Sequence, residues 1–239
     1  MIPKTIHYCW FGRSEMPSLS QDCIASWHKY MPDWEYKLWN EDNFDINQNS
    51  YTREAYESGK YAFVSDYVRL WALEREGGVY LDTDVEVFKS LVDLLDYQAF
   101  AGFEGSKRLP VGTCVMESVP HGEWVNEQLE AYQGRHFVNE GGSFDLTTNV
   151  QFITAVMAKQ GLVQNGLEQD YKDLHVFPAD YFSPRRTTGE YIKTENTYCD
   201  HLGLGSWEEK NQGWKVRVTK LVGQSNTVRL IKLKRRLFG

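Results

Sequence analysis

The sequence predicts an α/β domain built on a mainly parallel sheet with helices packed against it. Three observations predict this. Short apolar runs of strand length alternate with longer segments of helical period, Gly and Asn clusters punctuate them, and one run ends in an aspartate pair where open α/β sheets bind ligands.

Taken in order, Thr5 to Trp10 reads as a first strand stopped by Phe11-Gly12, and Trp34 to Trp39 reads as a second. A helix from about Ser20 to Tyr30 joins them, giving a β-α-β opening. Asn40-Glu41-Asp42-Asn43 breaks the second strand, and Tyr51 to Ser58 forms a short helix before Gly59. Ser65 is suited to cap a helix running to about Glu76, with Asp66 in its first turn and Gly77-Gly78 as its stop. Val79-Tyr80-Leu81 then forms a buried strand that delivers Asp82-Thr83-Asp84 at its exit. Further strands are expected at Ala99 to Phe103, Thr113 to Met116 and His175 to Phe177, and helices near Glu123 to Tyr132 and Asn149 to Lys159.

Composition bounds the function. With 239 residues, 41% hydrophobic and 25% charged, the chain suffices for one folded domain, expected over 1–212, followed by a basic tail over 213–239. The formal charge of −7 is uneven: residues 211–239 hold eight Lys or Arg and no acid, which leaves 18 basic against 33 acidic residues, or −15, elsewhere. So acidic a body argues against general nucleic-acid binding, which depends on neutralising phosphates. No window has the apolar length of a membrane span, and no signal peptide is expected from the first residues. Cys9, Cys23, Cys114 and Cys199 are scattered with no C-x-x-C pair, which suits reduced thiols in a cytoplasmic protein.

Asp82-Thr83-Asp84 is the motif that carries chemistry. Cleaving a nucleotide-sugar leaves a diphosphate that gains negative charge, and a divalent cation held by hard oxygen ligands is a Lewis acid suited to that charge. A haloacid dehalogenase phosphatase also places Asp-x-Asp after a strand but expects Thr or Val where this chain has Glu86. A calcium loop needs a glycine where it has Val87. Asp66 and Arg69 lie one helical turn apart and share a face, which suits either an ordinary ion pair or a ligand site.

With those residues in view, the sequence resembles glycosyltransferase family 32, a group of retaining enzymes that includes yeast α-mannosyltransferases and bacterial capsule and lipopolysaccharide enzymes. The resemblance is carried by Ile2 to Gly12, Trp39 to Asn43, Tyr61 to Arg69, Gly77 to Asp84 and Thr194 to Tyr198. It implies the GT-A nucleotide-diphospho-sugar transferase fold, a nucleotide-sugar donor with a UDP-sugar favoured, Mn²⁺ or Mg²⁺, and a saccharide or lipid-linked saccharide acceptor. It also implies roles: Asp66 for donor sugar hydroxyls, Arg69 for sugar and phosphate, Asp82 and Asp84 for the metal, and His7 and Trp10 beside base and ribose, although core packing explains those last two as well. Similar enzymes often present His-His-x-x-x-Ser-Trp near the C-terminus. Here His201 matches the first His and Ser206-Trp207 match the end, while Leu202 replaces the second His. His201 is thereby the expected third metal ligand. Retention of anomeric configuration is implied by the resemblance alone.

Two features stay open at this level. Thr148 or Asn149 either faces the acceptor or caps a helix. The tail from Asn226 to Phe238 interleaves basic and apolar residues as an amphipathic helix does, and suits either peripheral contact with anionic lipid or docking on the acidic body. A non-catalytic nucleotide-sugar or glycan-binding module on the same fold is the alternative to an enzyme.

Overall fold

The computed structural model describes residues 1–105, 110–184 and 191–203. Ser206, Trp207 and the basic tail lie outside the described residues.

The opening forms as its periodicity dictates. Strand β1 (Thr5–Cys9), helix α1 (Ser18–Tyr30) and strand β2 (Glu35–Trp39) make the predicted unit, with β1 and β2 parallel in the register Thr5↔Glu35 to Cys9↔Trp39. Helices α2 (Ser50–Glu57) and α3 (Tyr61–Glu76) follow, then β3 (Gly78–Leu81) and β4 (Val85–Val87). The second half adds β5 (Ala99–Gly102), β6 (Val115–Ser118), α4 (Glu123–Glu130), α5 (Asn149–Lys159), β7 (Gln169–Tyr171), β8 (Leu174–Phe177) and β9 (Cys199–His201).

Seven strands form one sheet in the order β2-β1-β3-β6-β5-β8-β7, and β4 pairs with β9 in a separate ribbon. Strands β1, β2, β3, β5 and β8 share one direction, so the sheet is mostly parallel, but β6 runs against both of its neighbours and β7 against β8. That reversal matters for the site. Pairing Leu81 with Val115 puts the start of β6 beside the exit of β3, and the exit of β5 meets the same edge.

Strict alternation along the strands divides the core into two layers. Tyr80, Met116, Ala99 and Ala101 face a layer shared with α2, α3, α4 and α5. Val79, Leu81, Val115 and Phe100 face one built from Trp27 of α1 and Met31 just after it together with Val85 and Val87 of β4. Trp27 is fully buried and its Nε1–H donates to the Val85 carbonyl at 2.8 Å, which ties α1 to the residue following Asp84.

Helix α3 begins five residues before the predicted start, its cap position being Lys60 rather than Ser65. Ser65 is not its cap: the Ser65 hydroxyl bonds back to the Tyr61 carbonyl at 3.3 Å from within the helix, and Asp66 therefore sits beyond the first turn. The stop is as predicted. Gly77 closes α3 at φ +64°, where a Cβ would lie 2.6 Å from Pro120 Cδ and 2.9 Å from the Ser118 carbonyl, so only glycine fits. Among the described residues no helix is long and apolar enough to cross a membrane.

Candidate active site

The site forms where β3 ends. Tyr80 and Asp82 are two residues apart on an extended chain and thus point to the same face, towards α3. The Tyr80 hydroxyl donates to Asp82 Oδ1 at 2.9 Å, and the backbone N–H of Asp82 donates to the Cys114 carbonyl at 2.9 Å. A turn closed by Val85 N–H on the Asp82 carbonyl then carries Asp84 to the other side, into the β4–β9 ribbon.

Buried Asp66 and Arg69 and half-buried Asp82 form one network. Arg69 Nη2 lies 2.9 Å from Asp66 Oδ1 and 3.3 Å from Asp82 Oδ1, while Nη1 donates to the Thr113 carbonyl at 2.7 Å and Nε to the Ser65 carbonyl at 3.3 Å. Its guanidinium also stacks on the Tyr80 ring, 4.6 Å from the centroid. A planar fork with donors on several edges makes these bonds at once, which an ammonium cannot do. Burial opposes charge on Arg69, yet Asp82, Tyr80 and Asp66 together hold its pKa well above the usual value, so it stays a cation. Burial pushes the Asp66 carboxyl up to about 6, with Arg69 resisting the rise and Asp82 adding to it; the backbone N–H of Asn149, at the start of α5, also favours the carboxylate.

Asp84 is buried, and the register Val85↔His201 sets His201 beside it, Nε2 to Asp84 Oδ1 being 3.4 Å. One donor atom from each of Asp82, Asp84 and His201 lies within 4.8 Å of the others. Two carboxylates and an imidazole at this spacing fit a divalent cation of the Mn²⁺ or Mg²⁺ kind, completed by ligand or water oxygens. Burial works against a charged His201, but Cys114 and Asp84 outweigh it and raise its pKa well above the ordinary range.

Trp10 follows β1 directly, is half-buried, and spends its Nε1–H on the Ser14 carbonyl at 2.7 Å. The loop it opens is pinned where Gly12 N–H meets Glu41 Oε1 and where the Tyr61 ring lies over Gly12, too close for any side chain there.

His7 corrects the expectation of a place beside base and ribose. It is wholly inside the core, Nε2 donates to the Gly77 carbonyl at 2.8 Å, and Nδ1 accepts from Trp39 Nε1 at 3.1 Å. Accepting at Nδ1 and donating from Nε2 is the pattern of the neutral Nε2–H tautomer, and burial lowers its pKa in the same sense; it fastens the α3–β3 junction rather than a ligand. Thr148 is the cap of α5 in a reciprocal capping box with Gln151, and Asn149 is buried with its Oδ1 accepting from the Tyr132 hydroxyl at 3.3 Å.

Sequence reasoning missed Tyr80, Thr113, Cys114 and Glu104, all of which meet at this edge. Glu104 follows the exit of β5, and its carboxyl pKa is raised first by burial, with His201 opposing. Its position just past an apolar strand was the available signal; Thr113 and Cys114 carried none, because the antiparallel course of β6 alone brings them in.

With this geometry in view, residues 17–101 match the family model described as glycosyltransferase sugar-binding region containing DXD motif. Asp82 and Asp84 fall inside the matched region as its Asp-x-Asp, and so do Asp66 and Arg69. The chain is 34% identical over 103 residues to inositol phosphoceramide mannosyltransferase 3 of Schizosaccharomyces pombe, covering 41% of this chain and 29% of the relative. It is 29% identical over 135 residues to mannosyl phosphorylinositol ceramide synthase SUR1 of Saccharomyces cerevisiae, covering 55% and 35%. The matches thus span about a third of these relatives' length. Among solved structures, the PaToxG glycosyltransferase superposes with a TM-score of 0.52 at 17% identity, over 67% of this chain and 70% of that one. The fold around the DXD region is the GT-A glycosyltransferase fold.

Proposed function

We propose that the protein is a metal-dependent, retaining hexosyltransferase that takes its sugar from a nucleotide-sugar, a UDP-sugar in the first instance, and passes it to a saccharide or lipid-linked saccharide acceptor in bacterial surface polysaccharide synthesis. The single observation that carries this reading is the cluster of Asp82, Asp84 and His201 donor atoms at the exit of β3, the two aspartates lying inside the DXD region and beside the buried Asp66–Arg69 pair.

In this reading Asp82, Asp84 and His201 hold Mn²⁺ or Mg²⁺. The ion supplies Lewis-acid neutralisation of the donor diphosphate. Arg69 fixes Asp66 and Asp82 in one geometry and adds positive charge beside the leaving group. Asp66, held as an acceptor by Arg69 and the start of α5, receives hydrogen bonds from donor sugar hydroxyls. Trp10 offers a ring to the base or sugar from the β1 exit, and Ser206 and Trp207 are assigned to the diphosphate on the motif alone. The preferred course is attack from the face the diphosphate leaves, with the acceptor's proton passing to the leaving oxygen, a course that needs no nucleophile beneath the anomeric carbon. GDP-mannose stands beside the UDP-sugars as a candidate donor, and the mannosyl names of the fungal relatives support keeping it there.

Incubating the protein with UDP-glucose, UDP-galactose, UDP-N-acetylhexosamines and GDP-mannose, with and without Mn²⁺, tests the reading. Metal-stimulated release of the nucleoside diphosphate from one donor, stopped by a chelator, is expected. Nucleotide-sugar binding without turnover of any donor, under any metal, would instead identify a binding module.

A further inference from the structure

A second set of metal-ligating atoms lies beside the first. Glu104, Cys114 and His201 each present one donor atom, and these three also lie within 4.8 Å of one another. They come from three separate places: the exit of β5, the approach to β6, and β9. The two sets share His201 but differ in chemistry. Asp82 and Asp84 supply hard oxygen, whereas Glu104 and Cys114 supply one oxygen and one sulfur.

A carboxylate, a thiolate and an imidazole make the mixed three-ligand set that Zn²⁺ favours, with a fourth position left to water; Mn²⁺ and Mg²⁺ gain little from sulfur. The Zn–S, Zn–N and Zn–O bonds are about 2.3, 2.0 and 2.1 Å, so donor atoms around one tetrahedral ion stand roughly 3.3 to 3.8 Å apart. Atoms already inside 4.8 Å need to close by an ångström or so. Neutral imidazole has a single lone pair on nitrogen, so His201 serves one ion at a time.

We propose that Glu104, Cys114 and His201 form a Zn²⁺ site overlapping the donor-metal site, and that Zn²⁺ bound there withdraws His201 from Asp82 and Asp84. Binding breaks the Cys114 S–H bond, forms a metal–sulfur bond and passes the proton to solvent, with no change of oxidation state. The coupling to transfer rests on the donor-metal role assigned to His201; the binding does not. Because the backbone carbonyls of Thr113 and Cys114 hold Arg69 and Asp82, an ion on the Cys114 side chain also pulls on the segment that fixes both.

Co²⁺ serves as the probe, since a cobalt–thiolate bond gives a charge-transfer absorption in the near ultraviolet that oxygen and nitrogen ligands do not. The full-length protein titrated with Co²⁺ is expected to develop this band and to lose it when Zn²⁺ is added. Cys114→Ser should abolish it, Glu104→Gln should weaken cobalt binding by roughly 100-fold or more, and Asp84→Ala should retain it. Should Cys114→Ser fail to fold, judged by circular dichroism, Glu104→Gln carries the test. No band in folded wild-type protein, a band unchanged in Cys114→Ser, or unaltered cobalt affinity in Glu104→Gln would overturn the site. For the coupling, Zn²⁺ is titrated into Mn²⁺-supported donor hydrolysis, each variant being compared with its own zinc-free rate. Half-inhibition of Glu104→Gln is expected at a Zn²⁺ concentration higher by roughly 100-fold, and equal sensitivity would overturn the coupling. Absence of any donor hydrolysis would count against the transferase reading and leave the cobalt result standing.

Discussion

Asp82, Asp84 and Arg69 are where single side chains decide most. Replacing Asp84 or Asp82 by Ala should lower turnover by at least about 10²-fold while leaving the melting transition near that of wild type, because charge stabilisation at a leaving group is commonly of that size. Near-normal turnover in either variant would remove the assignment. Arg69→Lys should be comparably impaired: the ammonium keeps the charge but abandons most of the contacts to Asp66, Asp82, Thr113 and Ser65. Glu117 stands apart from catalysis. It is fully buried on β6 between Val79 and Phe100, neither carboxyl oxygen has a hydrogen-bond partner among the described residues, and burial drives its pKa well above the usual value. With the folded pKa raised, its contribution to stability is complete below the unfolded pKa of about 4.3 and is lost as pH rises, since only the unfolded chain ionises freely. Glu117→Met should therefore be more stable than wild type by about 1 to 3 kcal/mol at pH 7, with a gap that shrinks towards pH 4 in urea titrations. A gap independent of pH would show that the carboxyl ionises in the fold.

Elements carry the site by their ends, and here the sequence was legible to different depths. Strand β1, helix α1 and strand β2 were readable because apolar alternation and helical period are long enough to register, and α5 runs from Asn149 to Lys159 as predicted because Thr148 and Gln151 cap it. The start of α3 was misread, since Ser65 has the chemistry of a cap but spends its hydroxyl on Tyr61. Strands β4, β7 and β9 were not anticipated, each being three residues long. Residues at the site divide the same way. The Asp-x-Asp and the Asp66–Arg69 pair show in local spacing, whereas Glu104, Thr113 and Cys114 arrive through strand order, which no local pattern encodes. His7 stayed open between core packing and a ligand contact because a polar residue near a strand's end suits either, and the indole of Trp39 and the carbonyl of Gly77 satisfy it inside. The ribbon that holds Asp84 depends on α1: Trp27→Phe keeps the ring but leaves the Val85 carbonyl without its donor. We expect a loss of about 1 to 3 kcal/mol in stability together with weaker Mn²⁺ stimulation, measured by thermal unfolding and metal titration. Unchanged metal response would show that β4 holds its place without that bond.

Over the whole molecule, the sheet order puts three strand ends and the start of an antiparallel strand at one edge, and a helix on the opposite layer delivers a buried cation to it. Two layers of core fix that edge from both sides, so the carboxylates at the β3 exit are gathered before any ligand arrives. The central claim is that this acidic edge binds a nucleotide diphosphate through a divalent cation. Isothermal titration of UDP into the protein with and without Mn²⁺, repeated on an Asp82→Asn, Asp84→Asn double variant, tests it most directly. Binding that requires Mn²⁺ in wild type and vanishes in the double variant is the predicted result; UDP binding of equal strength without metal, or undiminished in the double variant, would contradict it.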